Sequence, residues 1–268
     1  MPYTTNNGVK LYYEVHGSGQ PLFLIMGLGG TSESWRFQVQ YFCKYYQVIV
    51  MDNRGAGRSD QPDEEYTTKI FASDVKQVLD DLNIQQAHIF GLSMGGMIAQ
   101  QFCLSYPQYV KSLLISCSGT GTPDPYYVPC SKEVQQVLHM DRTVDNRREV
   151  TEKLVEVFYH HTYRVQIPDL LERILSLPMT QKDYAYKRQL QACHLKEHTS
   201  PQLKNIQVPT LIIHGQDDKV WPVQNAHNLA ELIPNSTCVI LEECGHMFFI
   251  EKPREYNQAV HDFLKSVR

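Results

Sequence analysis

The stretch "AHIFGLSMGGMIAQQFCLSYP" (87–107) places Ser93 between Gly91 and Gly95, in the pattern Gly-x-Ser-x-Gly. The residues before Ser93 predict a buried strand, and those from Met94 onward predict a helix. At so tight a junction the neighbours of the serine must be small, because the chain folds back on itself. The corner lifts the hydroxyl clear of the sheet, beside the backbone N–H of Met94. The pattern predicts that Ser93 is a nucleophile, although the motif alone arises by chance in about one chain of this length in ten.

Strand-like and helix-like segments alternate on both sides of this corner. Short apolar or alternating runs predict strands at 9–17, 21–27, 46–52, 87–92, 110–118, 209–215 and 237–243. Helical spacing or length predicts helices within 32–46 and at 67–84, 94–107, 223–234 and 253–267. Strands that alternate with helices are typical of βαβ units. The sequence therefore predicts an α/β protein with a mostly parallel central sheet flanked by helices.

The segment 122–204 interrupts this alternation. It has helical patterns such as "REVTEKLVEVFYHH" (148–161), broken by prolines, and no convincing buried strand. It is far longer than a single crossover connection needs. We expect a helical cap over 122–204, inserted into a core made of 1–121 and 205–268. Ordinary crossover helices are the alternative.

A serine hydroxyl needs a base to become a good nucleophile. His246, in "ECGHMFFIEKP" (243–253), follows the last predicted strand and precedes the last helix. It therefore belongs at the carboxyl edge of the sheet, where the chemistry of open α/β sheets gathers. The acid that orients the base is expected in the loop "HGQDDKVWP" (214–222), at the same edge. The residues themselves leave Asp217 and Asp218 as alternatives.

With these motifs in place, the chain resembles the α/β-hydrolase fold family over nearly its whole length outside the predicted cap. The order serine, aspartate, histidine is the order of that family. The family pattern HGxxDxxVP favours Asp218 over Asp217, with Trp221 where valine is usual. The family pattern GHxxxxExP favours His246 and brings Glu251 into register.

The resemblance also implies an oxyanion hole made by the backbone N–H groups of Leu28 and Met94. The family commonly has His-Gly at this point, whereas this chain has Met26-Gly27. Because the donors are backbone groups, the loss of the histidine side chain need not remove one. The stretch "DNRGAGRSD" (52–60) resembles a structural loop of the family, which implies that Arg54 braces it.

The motif around Ser93 most resembles carboxylesterases and 3-oxoadipate enol-lactonase-like enzymes. The resemblance implies a serine hydrolase that cleaves a carboxylic ester or lactone through an acyl-enzyme, with Ser93, His246 and Asp218 as its triad. This chemistry requires no metal and no organic cofactor. The alternatives are a thioesterase, a carbon–carbon bond hydrolase, and a ligand-binding protein of the same fold without catalysis. Carbon–carbon bond hydrolases often carry Gly-Asn-Ser, whereas Leu92 precedes the serine here.

Composition limits the class of protein further. A net charge of −4 over 268 residues does not favour nucleic acid as a partner. The longest apolar runs are well short of the about 20 residues that a membrane span needs. The 7 cysteines show no CxxC pair, and the polar N-terminal residues show no secretory signal, so we expect a cytoplasmic protein.

The predicted cap is rich in aromatic residues and arginines. Its aromatic side chains are candidates to shape the pocket for a small-molecule substrate or to pack between the cap helices. Four arginines could bind a substrate carboxylate or could form a solvated face: Arg142, Arg147, Arg148 and Arg164. The sequence does not indicate the oligomeric state.

Overall fold

A computed structural model describes residues 3–194 and 199–267; residues 195–198 of the predicted cap and residues 1, 2 and 268 of the core lie outside that description. The strands are β1 (Tyr3–Asn6), β2 (Val9–His16), β3 (Gln20–Ile25), β4 (Tyr46–Met51), β5 (Ala87–Leu92), β6 (Val110–Ser116), β7 (Thr210–Gly215) and β8 (Ser236–Leu241). They form one sheet in the order β1-β2-β4-β3-β5-β6-β7-β8. The pairs β1–β2 and β2–β4 are antiparallel, and all the other pairs are parallel. The predicted α/β class and mostly parallel sheet are confirmed.

Twelve α-helices are seen in the described ranges. Three lie before β6, at α1 (Arg36–Phe42), α2 (Thr68–Asp81) and α3 (Met94–Ser105). Six lie between β6 and β7, at α4 (Lys132–His139), α5 (Arg147–Phe158), α6 (His161–Gln166), α7 (Leu170–Leu175), α8 (Asp183–Ala192) and α9 (Ser200–Leu203). The last three are α10 (Gln224–Leu232), α11 (Phe248–Glu251) and α12 (Pro253–Ser266). Short 3₁₀ helices cover Ser32–Trp35 and Pro107–Tyr109.

Strand β1 was not predicted, because its sequence is short and polar. It pairs with β2 across a two-residue turn, in which Asn6 lies opposite Val9. The turn residues Asn7 and Gly8 have φ values of 48° and 82°. Asn-Gly is the preferred sequence for a hairpin turn that needs positive φ at both positions. That dipeptide was the available signal for the extra strand.

The sheet is covered on both faces. Strand β5 is buried along its whole length, as expected for a central parallel strand. One apolar cluster joins the sheet to α2, α3 and α10, through side chains such as Phe71, Phe102 and Leu229. The other joins it to α1 and α12, through side chains such as Phe42 and Val260. The central strands are thereby fixed, and their carboxyl ends form a rigid edge.

The helices α4 to α9 lie in sequence between β6 and β7. A third, smaller apolar cluster contains Cys130 and Val134 of this segment together with Met97, Val220 and Trp221. It lies between the helical segment, α3 and the loop after β7. Helix α8 was not predicted. None of the helices in the described ranges combines the length and apolar surface that crossing a bilayer requires.

Candidate active site

Ser93 lies at the corner between β5 and α3. Its φ of 57° and ψ of −120° are strained for a residue with a side chain. The corner is tight, since a methyl group on Gly95 would lie 2.2 Å from the carbonyl oxygen of Ile25. A methyl group on Gly91 would lie 2.0 Å from the carbonyl oxygen of Gly95. Glycine is therefore required on both sides of the serine, which explains the motif.

The backbone of Ser93 is fixed by the neighbouring strand. Its N–H donates to the carbonyl oxygen of Ser116 at 2.8 Å. Its own carbonyl oxygen accepts a hydrogen bond from Ser118 Oγ at 2.8 Å. Only 7% of Ser93 is exposed to solvent. The strained conformation is thus held by bonds on both sides.

The loop after β3, residues 27–30, lies against the serine. A methyl group on Gly27 would lie 2.9 Å from Ser93 Cβ. Within the described residues, neither the N–H of Leu28 nor that of Met94 donates to a protein acceptor. Met94 is the first residue of α3, where a backbone N–H has no partner inside the helix. Both N–H groups are therefore without a hydrogen-bond partner in the described chain.

The loop after β7 brings Asp218 to His246. Asp218 Oδ2 accepts a hydrogen bond from His246 Nδ1 at 2.8 Å, and both side chains are buried. Asp218 Oδ1 accepts from the N–H groups of Val220 and Trp221 at 2.7 and 2.9 Å. The Asp217 side chain is 47% exposed, and its Oδ2 lies 3.7 Å from His160 Nε2. Of the two candidate acids, Asp218 is therefore the one that contacts the imidazole.

The negative charge of Asp218 and the positive charge of protonated His246 stabilise each other. Burial alone would lower the pKa of His246, but the neighbouring carboxylate of Asp218 raises it well above the usual value. Burial alone would raise the pKa of Asp218, but His246 and His214 hold it well below the usual range. His214 Nε2 lies 2.6 Å from the carbonyl oxygen of Trp221 and 3.4 Å from Asp218 Oδ2. His214 was not predicted as part of the site.

Cys117 is a further buried residue next to His246. It directly follows β6, between the two residues that bond the backbone of Ser93, and its thiol interacts with His246. Burial raises the pKa of this thiol, so it is protonated at neutral pH. Cys117 was not predicted; its signal was its position after β6, at the same sheet edge as Asp218 and His246.

No hydrogen bond joins the Ser93 hydroxyl to His246 in the part of the chain that the structure describes. Asp218 and His246 follow β7 and β8 and are joined by a hydrogen bond, whereas Ser93 follows β5, with β6 and the Cys117 that follows it between β5 and β7 in the sheet order. In hydrolases without substrate, the bond between nucleophile and base is often long and tightens in the complex.

The donor atoms of Cys117, Asp218 and His246 lie within 4.8 Å of one another, which makes them a possible ligand set for a metal ion. However, His246 Nδ1 and Asp218 Oδ2 are 2.8 Å apart. That separation is a hydrogen bond and is shorter than the roughly 3.3 Å between two ligands of a tetrahedral zinc ion. The geometry favours an oriented imidazole over a chelate.

The loop that carries His246 is held by the end of α5. The Phe158 ring lies 5.3 Å from the imidazole, and the Phe158 carbonyl oxygen accepts a hydrogen bond from the Met247 N–H at 3.0 Å. Glu251 accepts hydrogen bonds from the N–H groups of Gly245 and His160, at 3.2 and 3.3 Å. Burial raises the pKa of Glu251 to about 7.

Comparison with known proteins gives concordant matches. A family model described as the alpha/beta hydrolase fold matches residues 20–253. A putative carbamate hydrolase, RutD, of Azorhizobium caulinodans is 28% identical, over 98% of this chain and 98% of its own. A 2-hydroxy-6-oxo-6-(2'-aminophenyl)hexa-2,4-dienoic acid hydrolase of Metapseudomonas resinovorans is 28% identical, over 98% of this chain and 90% of its own. The solved structure of Est816, described as an N-acyl homoserine lactone degrading enzyme, is 31% identical with a TM-score of 0.83, over 98% of this chain and 100% of its own.

Proposed function

Because this chain belongs to the α/β-hydrolase fold family, we propose that it is a serine hydrolase that cleaves a carboxylic ester or a lactone. Ser93 is the nucleophile, His246 the general base and acid, and Asp218 the orienting acid. The backbone N–H groups of Leu28 and Met94 form the oxyanion hole. The reaction passes through an acyl-enzyme and uses no metal or organic cofactor.

The observation that carries this proposal is the buried hydrogen bond between Asp218 and His246, beside a serine on a strained corner. A serine hydroxyl is activated by an adjacent base, and the base is oriented by a third group. Here the Nδ1 atom of His246 is engaged by Asp218, so Nε2 is the atom that we propose accepts the proton of Ser93. When substrate binds, Ser93 Oγ has to come within about 3 Å of Nε2.

The proposed reaction has two steps. In the first, Ser93 Oγ attacks the carbonyl carbon while His246 Nε2 takes its proton; the imidazolium then protonates the leaving oxygen, and the C–O bond breaks. In the second, His246 deprotonates a water molecule that attacks the acyl-enzyme, and Ser93 Oγ leaves with the proton. Asp218 stays ionised throughout and stabilises the charge on the imidazolium.

The N–H groups of Leu28 and Met94 act where negative charge develops on the substrate oxygen. A single donor of this kind contributes about 3 to 4 kcal/mol to the transition state in other hydrolases. Neither donor is engaged within the described protein, so no internal bond has to break before the oxyanion binds.

We propose that the segment 122–204 is a cap that shapes the substrate pocket. The apolar cluster of Met97, Cys130, Val134, Val220 and Trp221 lies between this segment, α3 and the Asp218 loop. Apolar walls with a few placed polar groups are typical of sites for small organic ligands. The expected partner is thus a small-molecule ester or lactone with an apolar portion.

The names of the relatives support hydrolysis at a carbonyl carbon. Est816 is described as degrading a lactone, and RutD is described as a putative carbamate hydrolase. Both kinds of substrate present a carbonyl carbon bonded to oxygen.

We also propose a cytoplasmic location, because all seven cysteines are free and free thiols persist in reducing compartments.

The proposal is tested by labelling with a fluorophosphonate and by a panel of substrates. The panel contains short-chain and long-chain esters, lactones, thioesters and a vinylogous diketone. We expect rapid labelling that disappears in Ser93→Ala, together with turnover of at least one ester or lactone. Labelling without turnover on any substrate would favour a binding role. Turnover confined to the thioester or the diketone would replace the ester assignment.

A further inference from the structure

Arg142 lies against Tyr186 and has one donor atom without an acceptor in the described chain. Its guanidinium carbon lies 3.5 Å from the centroid of the Tyr186 ring, and its Nε atom is buried without a hydrogen-bond partner in the described chain. A guanidinium is charged at every physiological pH. A buried donor that belongs to a charged group is costly when it stays unpaired. The arrangement therefore lacks an acceptor.

Asp183, an acid that contacts Arg142, is already engaged. Asp183 Oδ1 accepts the backbone N–H of Arg142 at 2.7 Å, and its Oδ2 pairs with Lys187 at 2.7 Å. Within the described ranges, no carboxylate lies within 4.0 Å of the Arg142 guanidinium. Other arginines of the segment between β6 and β7 have carboxylate partners: Arg148 pairs with Glu172, Arg173 with Asp169, and Arg188 with Asp63.

Tyr186 links Arg142 to the loop of the proposed oxyanion hole. A methyl group on Gly29 would lie 3.6 Å from Cδ2 of the Tyr186 ring. One turn further along α8, Gln189 Oε1 accepts the Gly29 N–H at 3.0 Å. The residue before Gly29 is Leu28, a proposed oxyanion donor. The guanidinium is thus stacked on a buried ring that contacts the loop carrying Leu28, a proposed oxyanion donor.

Arg164 also has a buried Nε without a partner. In the described chain, however, no hydrogen bond, ion pair or ring contact connects the Arg164 side chain to the 27–30 loop or to Tyr186. Within the described residues, only Arg142 combines a buried Nε without a partner with a contact that leads to the loop 27–30.

We propose that Arg142 binds a carboxylate of the substrate, so that the preferred substrate is an ester or lactone that also carries a free carboxylate. This inference rests on the proposed function. The planar fork of a guanidinium matches the two oxygens of a carboxylate, and Nε with one Nη atom offers two parallel donors. The stacked Tyr186 ring fixes the plane of the fork.

The test compares two p-nitrophenyl esters that differ in charge, mono-p-nitrophenyl glutarate and p-nitrophenyl methyl glutarate. We expect the wild-type protein to have a higher kcat/KM for the anionic ester. In Arg142→Gln, this preference should fall at least tenfold, chiefly through KM. Arg142→Lys should be intermediate, because it keeps the charge and loses the fork. Arg148→Gln, which removes an exposed paired arginine, is the matched control and should keep the wild-type preference.

A second measurement does not depend on the folding of any variant. Glutarate should inhibit wild-type hydrolysis of the neutral ester at a concentration at least tenfold lower than glutaramide, its uncharged diamide, does. Equal inhibition by the two compounds, or an equal fall in kcat/KM for both esters in Arg142→Gln, would overturn the carboxylate site. In either case, neutral-ester turnover that requires Ser93 would leave the proposed hydrolase intact. If no ester is turned over in a way that requires Ser93, both the carboxylate site and the proposed hydrolase are overturned.

Discussion

Glu251 holds the Gly245 N–H with both of its carboxylate oxygens, each at 3.2 Å. Gly245 directly precedes the proposed base, His246. The same carboxylate accepts the N–H of His160, which follows the end of α5, at 3.3 Å. One partly buried side chain therefore joins the loop of the proposed base to the segment between β6 and β7. The orientation of the imidazole depends on this junction as well as on Asp218.

Replacing Glu251 by glutamine should lower kcat about 10- to 100-fold and change KM less. The amide keeps the shape of the side chain but has only one acceptor oxygen, so its NH₂ group opposes a backbone N–H. A small displacement of a catalytic group is enough for about 100-fold loss. Steady-state kinetics with a neutral ester measure the effect. Glu255→Gln, an exposed acid on α12, is the control; an unchanged kcat in Glu251→Gln would show that the junction does not position the base.

Gly245→Ala should damage activity through sterics alone. A methyl group at this position would lie 2.9 Å from the carbonyl oxygen of Phe158 and 3.0 Å from the His160 N–H. Because these neighbours are backbone atoms, the His246 loop has to move away from α5. We expect at least a tenfold loss of kcat/KM, with the secondary structure by circular dichroism retained. Full activity in this variant would mean that the base tolerates a shifted loop.

Replacing the two adjacent aspartates separately distinguishes them. Asp218→Asn should lower kcat by about 10³- to 10⁴-fold, as loss of the orienting acid does in other serine hydrolases. Asp217→Asn should stay within threefold of the wild-type protein, because its side chain is half exposed and does not contact His246. The reverse order of the two losses would overturn the assignment of the acid.

The pH dependence follows from the same pair. As the proposed base, His246 acts only when its imidazole is neutral, so kcat/KM should fall as the pH drops through its pKa. The Asp218 carboxylate raises this pKa well above its usual value. In Asp218→Asn that attraction is lost, and the residual activity should therefore decline at lower pH than in the wild-type protein. Profiles of kcat/KM between about pH 5 and about pH 9 for the two proteins give the comparison. An unshifted profile in Asp218→Asn would contradict the coupling.

The fold was accessible from the sequence because each signal was local. The apolar runs gave the central strands, and the motifs after β3, β5, β7 and β8 identified the edge at which Ser93, Asp218 and His246 were expected. Cys117 and His214 were not predicted as part of the site, because their contacts with His246 and Asp218 depend on how the strand ends pack together.

The contacts of helix α8 could not be predicted from the sequence for a different reason. Gln189 of α8 accepts a hydrogen bond from the Gly29 N–H of the 27–30 loop, and the two residues are 160 positions apart in the sequence. Tyr186, also on α8, lies next to the same loop. Such a long-range contact depends on tertiary packing and leaves no periodic signal in the sequence. The pairing of Glu251 with His160 is of the same kind.

The last prediction concerns stability. Asp74 of α2 is fully buried and binds Arg54 through two hydrogen bonds of 2.7 Å, and Asn6 of β1 donates to it at 2.7 Å. Asp74→Ala leaves the buried Arg54 guanidinium with Glu64 as its remaining acid partner. Removing one member of a buried pair costs about 3 to 5 kcal/mol. We expect that loss in the free energy of unfolding, measured by urea denaturation.

A double variant separates the cost of an unpaired charge from the value of the pair itself. Arg54→Met combined with Asp74→Leu removes both charges, and replacing a whole buried pair by apolar side chains is often close to neutral. We therefore expect the double variant to be more stable than Asp74→Ala. Asp169→Ala, which removes an exposed partner of Arg173, should leave the urea midpoint in place. If Asp74→Ala unfolds at the wild-type midpoint, the loop of Arg54 is not anchored through α2, and its stability must come from the bonds of Asp52 to Ser32 and Arg58.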